Sequence, residues 1–385
     1  MYKKTGLVLI GLLVQWSLFA QYPFEIKYGP YLQNMGENEV TVVWVTNQQA
    51  LGWVELAPDD ETHFYAEERP QFFQTENGRK LVGTLHRVTI KGLKKGTRYR
   101  YRVYSREVLD NTGWDTSFGR IAATNPNRLF AFTTLDRSKE AFHFAVVNDI
   151  HARSEFLDSL ISGIKLDQQD FIFFNGDMMS HLNSEELMFD GFLNKSTELF
   201  ASNIPFFYAR GNHETRGPFS TRFMDYFPTP TGKPYYTFRH GPALFIVLDG
   251  GEDKPDSDIE YGGLSAFDPY RKEQAEWLKT VVASEEFKNA TVKIVVIHVP
   301  PFTSTWHGTL QVGELFVPIL NRAGVDLMLC GHTHRYSLQA KGKNGNNFPI
   351  LTNSNQEIVE VAVDGKNIEV TLKDKTGKQT RQFSF

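Results

Sequence analysis

Six short, continuous apolar runs beyond residue 140 constrain this chain more than any other feature: FHFAVV, FIFF, PFFYA, ALFIVL, KIVVIH and VDLMLC. Apolar runs of about four to eight residues mark strands buried on both faces. Stretches with helical character lie between them, among them SEFLDSLISGIKL and DPYRKEQAEWLKTVVASEEF. Strands alternating with helices predict a layered α/β domain. The tail EIVEVAVDGKNIEVTLKD reads as a hairpin, two alternating runs joined around Asp364-Gly365.

The runs end in residues that bind metals. Five of the 11 histidines, with two Asp and one Asn, sit at or just past their C-terminal ends: Asp149 and His151, Asp177, Asn212 and His213, His298, then His332 and His334. Loops at the carboxyl edge of an α/β sheet converge on one crevice, so residues spread from Asp149 to His334 can meet at one point. Imidazole with carboxylate suits Zn, Fe, Mn or Co, whereas an all-oxygen set favours Mg or Ca. So many donors exceed what one tetrahedral ion needs and suit two ions sharing a carboxylate. A metal pair about 3.5–4 Å apart is a standard device for phosphate-ester hydrolysis.

Composition removes other classes. The single cysteine, Cys330, excludes an intrachain disulfide and a cysteine-held zinc; at the end of an apolar run it reads as a buried thiol. Lys plus Arg is 41 and Asp plus Glu is 45, a net charge of −4, so no nucleic-acid-binding surface is expected. At about 150 residues per domain the 385-residue chain holds two or three domains. Lys3 and Lys4 precede an apolar run from Leu7 to Ala20, shorter than the roughly 20 residues that span a bilayer. Residues 1–20 therefore read as a secretory signal peptide, leaving no transmembrane span in the mature chain. A secreted or periplasmic protein without disulfides points to a bacterial cell.

Residues 22–135 are all-β in pattern. EVTVVWVTN, GWVELAP, LHRVTIKGL and TRYRYRVYS alternate apolar and polar residues between Gly, Pro, Asn and Asp punctuation, which predicts a β-sandwich. LKKGTRYRYRV resembles the fibronectin type III pattern, and GPYLQNMGENEVTVVWVTN resembles the start of the N-terminal domain of purple acid phosphatases. His63 and His86 are lone histidines here, without a ligand cluster. The acidic, turn-rich segment 250–263 reads as a long loop or lid.

From about residue 140 to 360 the ordered blocks Asp149-Ile150-His151, Gly176-Asp177, Gly211-Asn212-His213-Glu214, His298 and Gly331-His332-Thr333-His334 resemble the signature of calcineurin-like metallophosphoesterases. The resemblance implies a four-layer α/β/β/α catalytic domain over 140–385. It implies that Asp149, His151 and His334 bind one divalent metal, that Asn212, His298 and His332 bind the other, and that Asp177 bridges them, the metals being Mn, Zn or Fe. It further implies that a metal-bound hydroxide attacks a small phosphate ester, a phosphomonoester in this reading. His213 would act as general acid or stabilise charge at the leaving group, with Glu214 or a backbone group orienting its ring. A phosphodiesterase acting on nucleotides or lipid head groups uses the same core; an inactive binding or adhesion protein is the alternative outside enzymes.

The pattern departs from purple acid phosphatases at one instructive place. Their G-D-x-x-Y carries the tyrosinate that colours ferric iron, whereas this chain reads Gly176-Asp177-Met178-Met179-Ser180. Their first block also lacks the equivalent of His151. Candidate substrate contacts are Asn212, Arg153, Trp306 and His307, with His181 and Arg216 as further candidates. His143 and His240 are expected to be structural.

Overall fold

The computed structural model describes residues 23–125 and 129–385. The leader-like segment 1–20 lies outside the described residues. In the N-terminal part, β1 (Ile26–Gln33), β2 (Glu39–Pro58), β3 (Gln71–Phe73), β4 (Val82–Lys91), β5 (Arg98–Asp110), β6 (Ser117–Ala123) and β7 (Phe130–Thr133) form one seven-stranded antiparallel sheet. Strand β2 is long enough to serve two sets of partners. Its 39–45 portion pairs with β1 and β4, and past an irregularity its 50–58 portion pairs with β5.

The alternation along β2 has a use on both faces. Val40, Val42 and Trp44 enter the core that the N-terminal sheet shares with the catalytic sheets. Val43 and Val45 point the other way and join Tyr28 and Tyr31 against the catalytic helices. Tyr28 stacks on Phe189 with ring centroids 4.1 Å apart. The Tyr31 and Tyr101 hydroxyls donate to the Tyr226 and Ser202 carbonyls at 2.9 and 2.7 Å. Each buried aromatic of this kind contributes about 1.5–3 kcal/mol by leaving water, so the β-rich part is fastened to its neighbour by packing.

The second part is mixed α/β. One six-stranded sheet is built from β8 (Ala141–Val147), β9 (Phe171–Asn175) and β10 (Phe206–Ala209), which run parallel, and three antiparallel strands that follow at the C-terminus. Helix α1 (Ser154–Ser162) links β8 to β9. The other sheet holds β11 (Tyr236–His240), β12 (Ala243–Leu248), β13 (Val292–Ile297), β14 (Leu327–Cys330), β15 (Ser337–Gln339) and β16 (Ile350–Thr352), with β12, β13, β14 and β16 parallel. Between β12 and β14 come α2 (Phe267–Ala283), α3 (His307–Leu315) and α4 (Val317–Ala323). The first sheet is completed by β17 (Glu357–Asp364), β18 (Asn367–Asp374) and β19 (Gln379–Ser384).

Side-chain alternation explains why the runs are apolar throughout. Phe144, Val146, Phe171 and Phe173 share a core with Phe245, Val247, Ile294 and Val296 of the other sheet. Their neighbours Ala145, Val147, Ile172 and Phe174 pack on α1 and the helical stretch 185–201. Ile246, Val295, Ile297 and Met328 pack on α2, α3 and α4. A strand buried on both faces has no polar side to show.

One sequence expectation needs adjustment. The stretch DPYRKEQAEWLKTVVASEEF is not one helix: α2 stops at Ala283, and Ser284, in extended geometry, caps a new short helix by accepting from the Phe287 N–H. The C-terminal hairpin is as expected, with Asp364 paired to Asn367 and Gly365 at φ 58°.

Candidate active site

Asp149, His151, Asp177, His332 and His334 all take left-handed backbone angles, with φ of 53°, 50°, 54°, 72° and 57°. Non-glycine residues rarely adopt this region, at a cost of about 1–3 kcal/mol each when imposed. Here each follows the end of a parallel strand, and the reversal turns its side chain back over the sheet edge. Hydrogen bonds between neighbouring loops hold the turns. The Asp149 N–H donates to the Gly176 carbonyl at 3.0 Å, His151 N–H to Asp177 at 2.9 Å, and Gly331 N–H to His298 at 3.0 Å. Gly211 must be glycine for space, because a Cβ there would collide with the Asp177 carboxylate.

These turns bring the donors together. Ligand atoms of Asp149, His151 and His334 lie within 4.8 Å of one another, as do those of Asp177, His298 and His332, and those of His151, Asp177 and His213. Asp149 Oδ1 is 3.1 Å from His334 Nε2, and Asp177 Oδ2 is 3.1 Å from His298 Nε2. Asn212 Oδ1 stands 3.0 Å from His332 Nδ1. Backbone and amide groups aim the carboxylates: Asp149 Oδ2 accepts from the Asn148 side chain at 2.6 Å and from the His332 N–H at 2.9 Å. His298 Nδ1 donates to the Asn175 carbonyl at 2.7 Å, which turns Nε2 inward.

The donor set fits a cation pair on its own electrostatics. Asp149 and His298 are wholly buried, yet Asp149 Oδ1 and His298 Nε2 make no hydrogen bond. The 3.1 Å approach of His298 to Asp177 lies outside hydrogen-bonding geometry. Burial pushes the His298 imidazole down, but the Asp177 and Asp149 carboxylates push it up further, to about 10. Burial, aided by the neighbouring His298, holds His332 at about 4. Two dry carboxylates demand positive charge between them, and divalent cations held by neutral imidazoles meet that demand without a buried proton.

His213 differs from the rest. Its Nδ1 donates to the Ser180 carbonyl at 2.8 Å, so a backbone group orients the ring and Nε2 is left 3.8 Å from Asp177 Oδ2. Glu214 does not orient it. Its buried carboxylate instead accepts from the N–H groups of Asp177, Gly211 and Met179 at 2.8, 3.0 and 3.2 Å and from the Tyr208 hydroxyl at 2.9 Å.

A cavity of about 580 Å³ opens over the cluster, lined by Asp177, Asn212, His213, His332 and His334. Trp306 and Arg216, two of the candidate substrate contacts, line it. Arg153 and His307 are corrections. Arg153 spends its guanidinium on the carbonyls of Ile150, Asp149 and Asn355 at 2.8, 2.9 and 3.3 Å, bracing the first loop from behind. The His307 ring is held by Asp268 at 2.8 Å at the start of α3 and is not among the cavity residues. His181 is exposed and meets only the edge of the His213 ring, at 6.1 Å.

Several lining residues lay beyond sequence reasoning: Asp253, Lys254, Thr303, Ser304 and Arg335. For the first two, the signal was the acidic segment itself. Much of that segment is docked. The Arg271 guanidinium donates to the Glu252 carbonyl at 2.7 Å, and the Gly308 N–H donates to the Asp253 carbonyl at 2.8 Å.

Comparison with known proteins decides the family. The family model of calcineurin-like phosphoesterases matches residues 142–336, the stretch that carries every one of these donors. This chain belongs to the calcineurin-like phosphoesterases. A second match, to the N-terminal domain of purple acid phosphatases, covers residues 29–118 of this calcineurin-like phosphoesterase. Purple acid phosphatase 21 of Arabidopsis thaliana is 25% identical over 273 residues, covering 66% of this chain and 53% of that protein. Probable purple acid phosphatase 20 of the same plant is 24% identical over 272 residues, covering 66% and 55%. The chain thus spans about half the length of the curated relatives it matches. A solved structure, TT1561 of Thermus thermophilus, overlaps 63% of this chain and 98% of its own at 12% identity, with a TM-score of 0.35. Among the described residues no helix is long and apolar enough to cross a membrane.

Proposed function

We propose that this protein hydrolyses phosphomonoesters at a dinuclear metal centre. Asp149, His151 and His334 would hold one cation, Asn212, His298 and His332 the other, and Asp177 both. The observation that carries this reading is the convergence of seven donors beneath one cavity, four of which (Asp177, Asn212, His332 and His334) line it together with His213. When bound, two such cations lower the pKa of a coordinated water and neutralise charge on the phosphoryl oxygens. The chain's own residues do the rest. Asn212 faces the cavity as a neutral donor, and Trp306 forms part of the wall near His332. His213, held through Nδ1 by Ser180, presents Nε2 to the departing oxygen, as general acid or as charge stabiliser.

The wider organisation in this reading is an exported enzyme of a bacterial cell, with a leader over 1–20, a fibronectin III-like domain over 22–135 and a four-layer α/β/β/α domain over 140–385. Two six-stranded sheets facing each other across a shared core, with helices on their outer sides, support the layered arrangement.

The test is metal analysis joined to a comparison of p-nitrophenyl phosphate with its bis-ester. Close to two metals per chain and dominant monoester turnover are expected with Mn, Zn or Fe. Dominant diester turnover would make the protein a phosphodiesterase. Failure to load metal would favour a binding or adhesion role.

A further inference from the structure

The acidic loop lines the cavity with Asp253 and Lys254, and Glu252 beside them acts on it through Arg216. Glu252 is buried, and both its oxygens engage Arg216: Nε donates to Oε1 at 2.8 Å and Nη2 to Oε2 at 2.7 Å. The Thr215 hydroxyl adds a bond to Oε1 at 2.7 Å, and the Tyr261 hydroxyl adds one to Oε2 at 3.0 Å. Glu252 is therefore fully occupied and cannot swing away without abandoning four hydrogen bonds to three residues. The backbone behind it is pinned by Arg271 and Gly308.

This bidentate fork uses Nε and one proton of Nη2, and leaves Nη1 outside the Glu252 pair. Nη1 lies 3.3 Å from Nε2 and 3.4 Å from Nδ1 of His213, so it stands beside that ring, and Arg216 lines the cavity. Asp253 Oδ1 is 3.8 Å from Arg216 Nη2, and Asp253 Oδ2 is 3.8 Å from His332 Nε2. A planar guanidinium held along one edge presents its remaining N–H groups in a fixed direction, which is the geometry that recognises phosphoryl oxygens.

We propose that Arg216 contacts a phosphoryl oxygen of the bound substrate, and that Glu252 of the acidic loop is the positioning residue that holds Arg216 for that contact. The proposal rests on the phosphoesterase reading of the same cavity. It makes the segment 250–263 a built-in arm of the substrate site instead of a covering lid. It also explains why Arg153 is not needed there: the cation that meets the phosphoryl group comes from the block after β10, not from the block after β8.

The test uses the metal-loaded full chain and inorganic phosphate as the probe, with affinity measured by calorimetry and metal content measured alongside. R216A is expected to keep its metals and bind phosphate about tenfold more weakly or worse, the loss typical of a charge-assisted hydrogen bond. R216K is expected not to recover it, because an ammonium cannot take both Glu252 oxygens and still face the cavity. E252Q and E252D are expected to weaken phosphate in part, and E252Q is expected to add nothing in the R216A background. Unchanged affinity in R216A, full recovery in R216K, or additive losses in the double variant would overturn the proposal. Wild-type protein that binds phosphate yet cleaves no ester would overturn the phosphatase reading while leaving the Arg216 contact standing. Wild-type protein that loads metal but binds no phosphate would overturn both.

Discussion

The buried carboxylate of Glu214 accepts the backbone N–H of Asp177 at 2.8 Å. A glutamate in the loop after β10 thereby fixes the loop after β9, and with it the carboxylate placed between the two ligand groups. The same oxygen takes the Gly211 N–H at 3.0 Å, so the two motif loops share one anchor.

Replacing that anchor should loosen the Asp177 loop. In Glu214→Gln an amide N–H₂ must face backbone donors, leaving at least one buried N–H without an acceptor. The expected cost is about 2–3 kcal/mol of stability, from a lost hydrogen bond to a charged group plus an unsatisfied donor. Urea denaturation measures the stability and metal analysis the occupancy. A variant with wild-type midpoint and two metals would refute the anchoring role.

His213 should separate binding from turnover. His213→Ala is expected to retain metal while losing about 10²–10⁴-fold in kcat, the usual span for a residue assisting proton transfer. Asp177→Asn should instead lower occupancy at both positions, because its carboxylate stands within ligand distance of His298 and close to His213. Loss of metal from His213→Ala would make the histidine a ligand, a role its grouping with His151 and Asp177 allows.

Iron-loaded protein should be colourless in the visible. The position that carries tyrosine in purple acid phosphatases is Ser180. Its hydroxyl lies 3.3 Å from His151 Nδ1, and its carbonyl holds His213. With no phenolate there, no tyrosinate-to-iron charge transfer is available. Absorption spectroscopy of the ferric protein checks this, and an intense visible band would contradict it.

Stability should fall in mild acid through a residue far from the cavity. His86 is buried in the N-terminal sheet, stacked on Trp44 at 4.9 Å with Nε2 3.0 Å from the Thr46 hydroxyl, and burial lowers its pKa from 6.5 to about 4. The unfolded chain takes up that proton below pH 6.5 while the folded chain refuses it. The stabilisation is therefore fully present above pH 6.5 and is lost as pH falls toward 4, with a limit of about 3 kcal/mol. Denaturation of wild type and His86→Gln at pH 7, 5.5 and 4.5 should show the gap between them narrowing with acid. A gap independent of pH would exclude His86 as the source.

The candidate metal ligands were legible because each sits at or just past the end of an apolar run, and strand ends are marked by where hydrophobicity stops. Arg153 and His307 show the limit of that reading. Both neighbour a motif or a cavity loop in sequence, yet one turns back onto carbonyls of its own loop and the other onto Asp268. Which way a long side chain turns depends on acceptors contributed from elsewhere in the chain. Arg216 is the converse: its partner, Glu252, is 36 residues away in the sequence and comes from the other sheet's loops.

Residue type and period by themselves determined the β-rich and α/β parts, the strand ends and the chemistry of the donors, since these follow from local alternation and from what imidazole and carboxylate can bind. Tertiary structure alone decided the left-handed turns that aim those donors, the Glu214 anchor, the Ser180 carbonyl under His213 and the docking of the acidic loop. The reason is physical: hydrogen bonds and charge pairs between distant segments have no periodic trace in the chain, and they exist only once the two sheets have brought their carboxyl edges together.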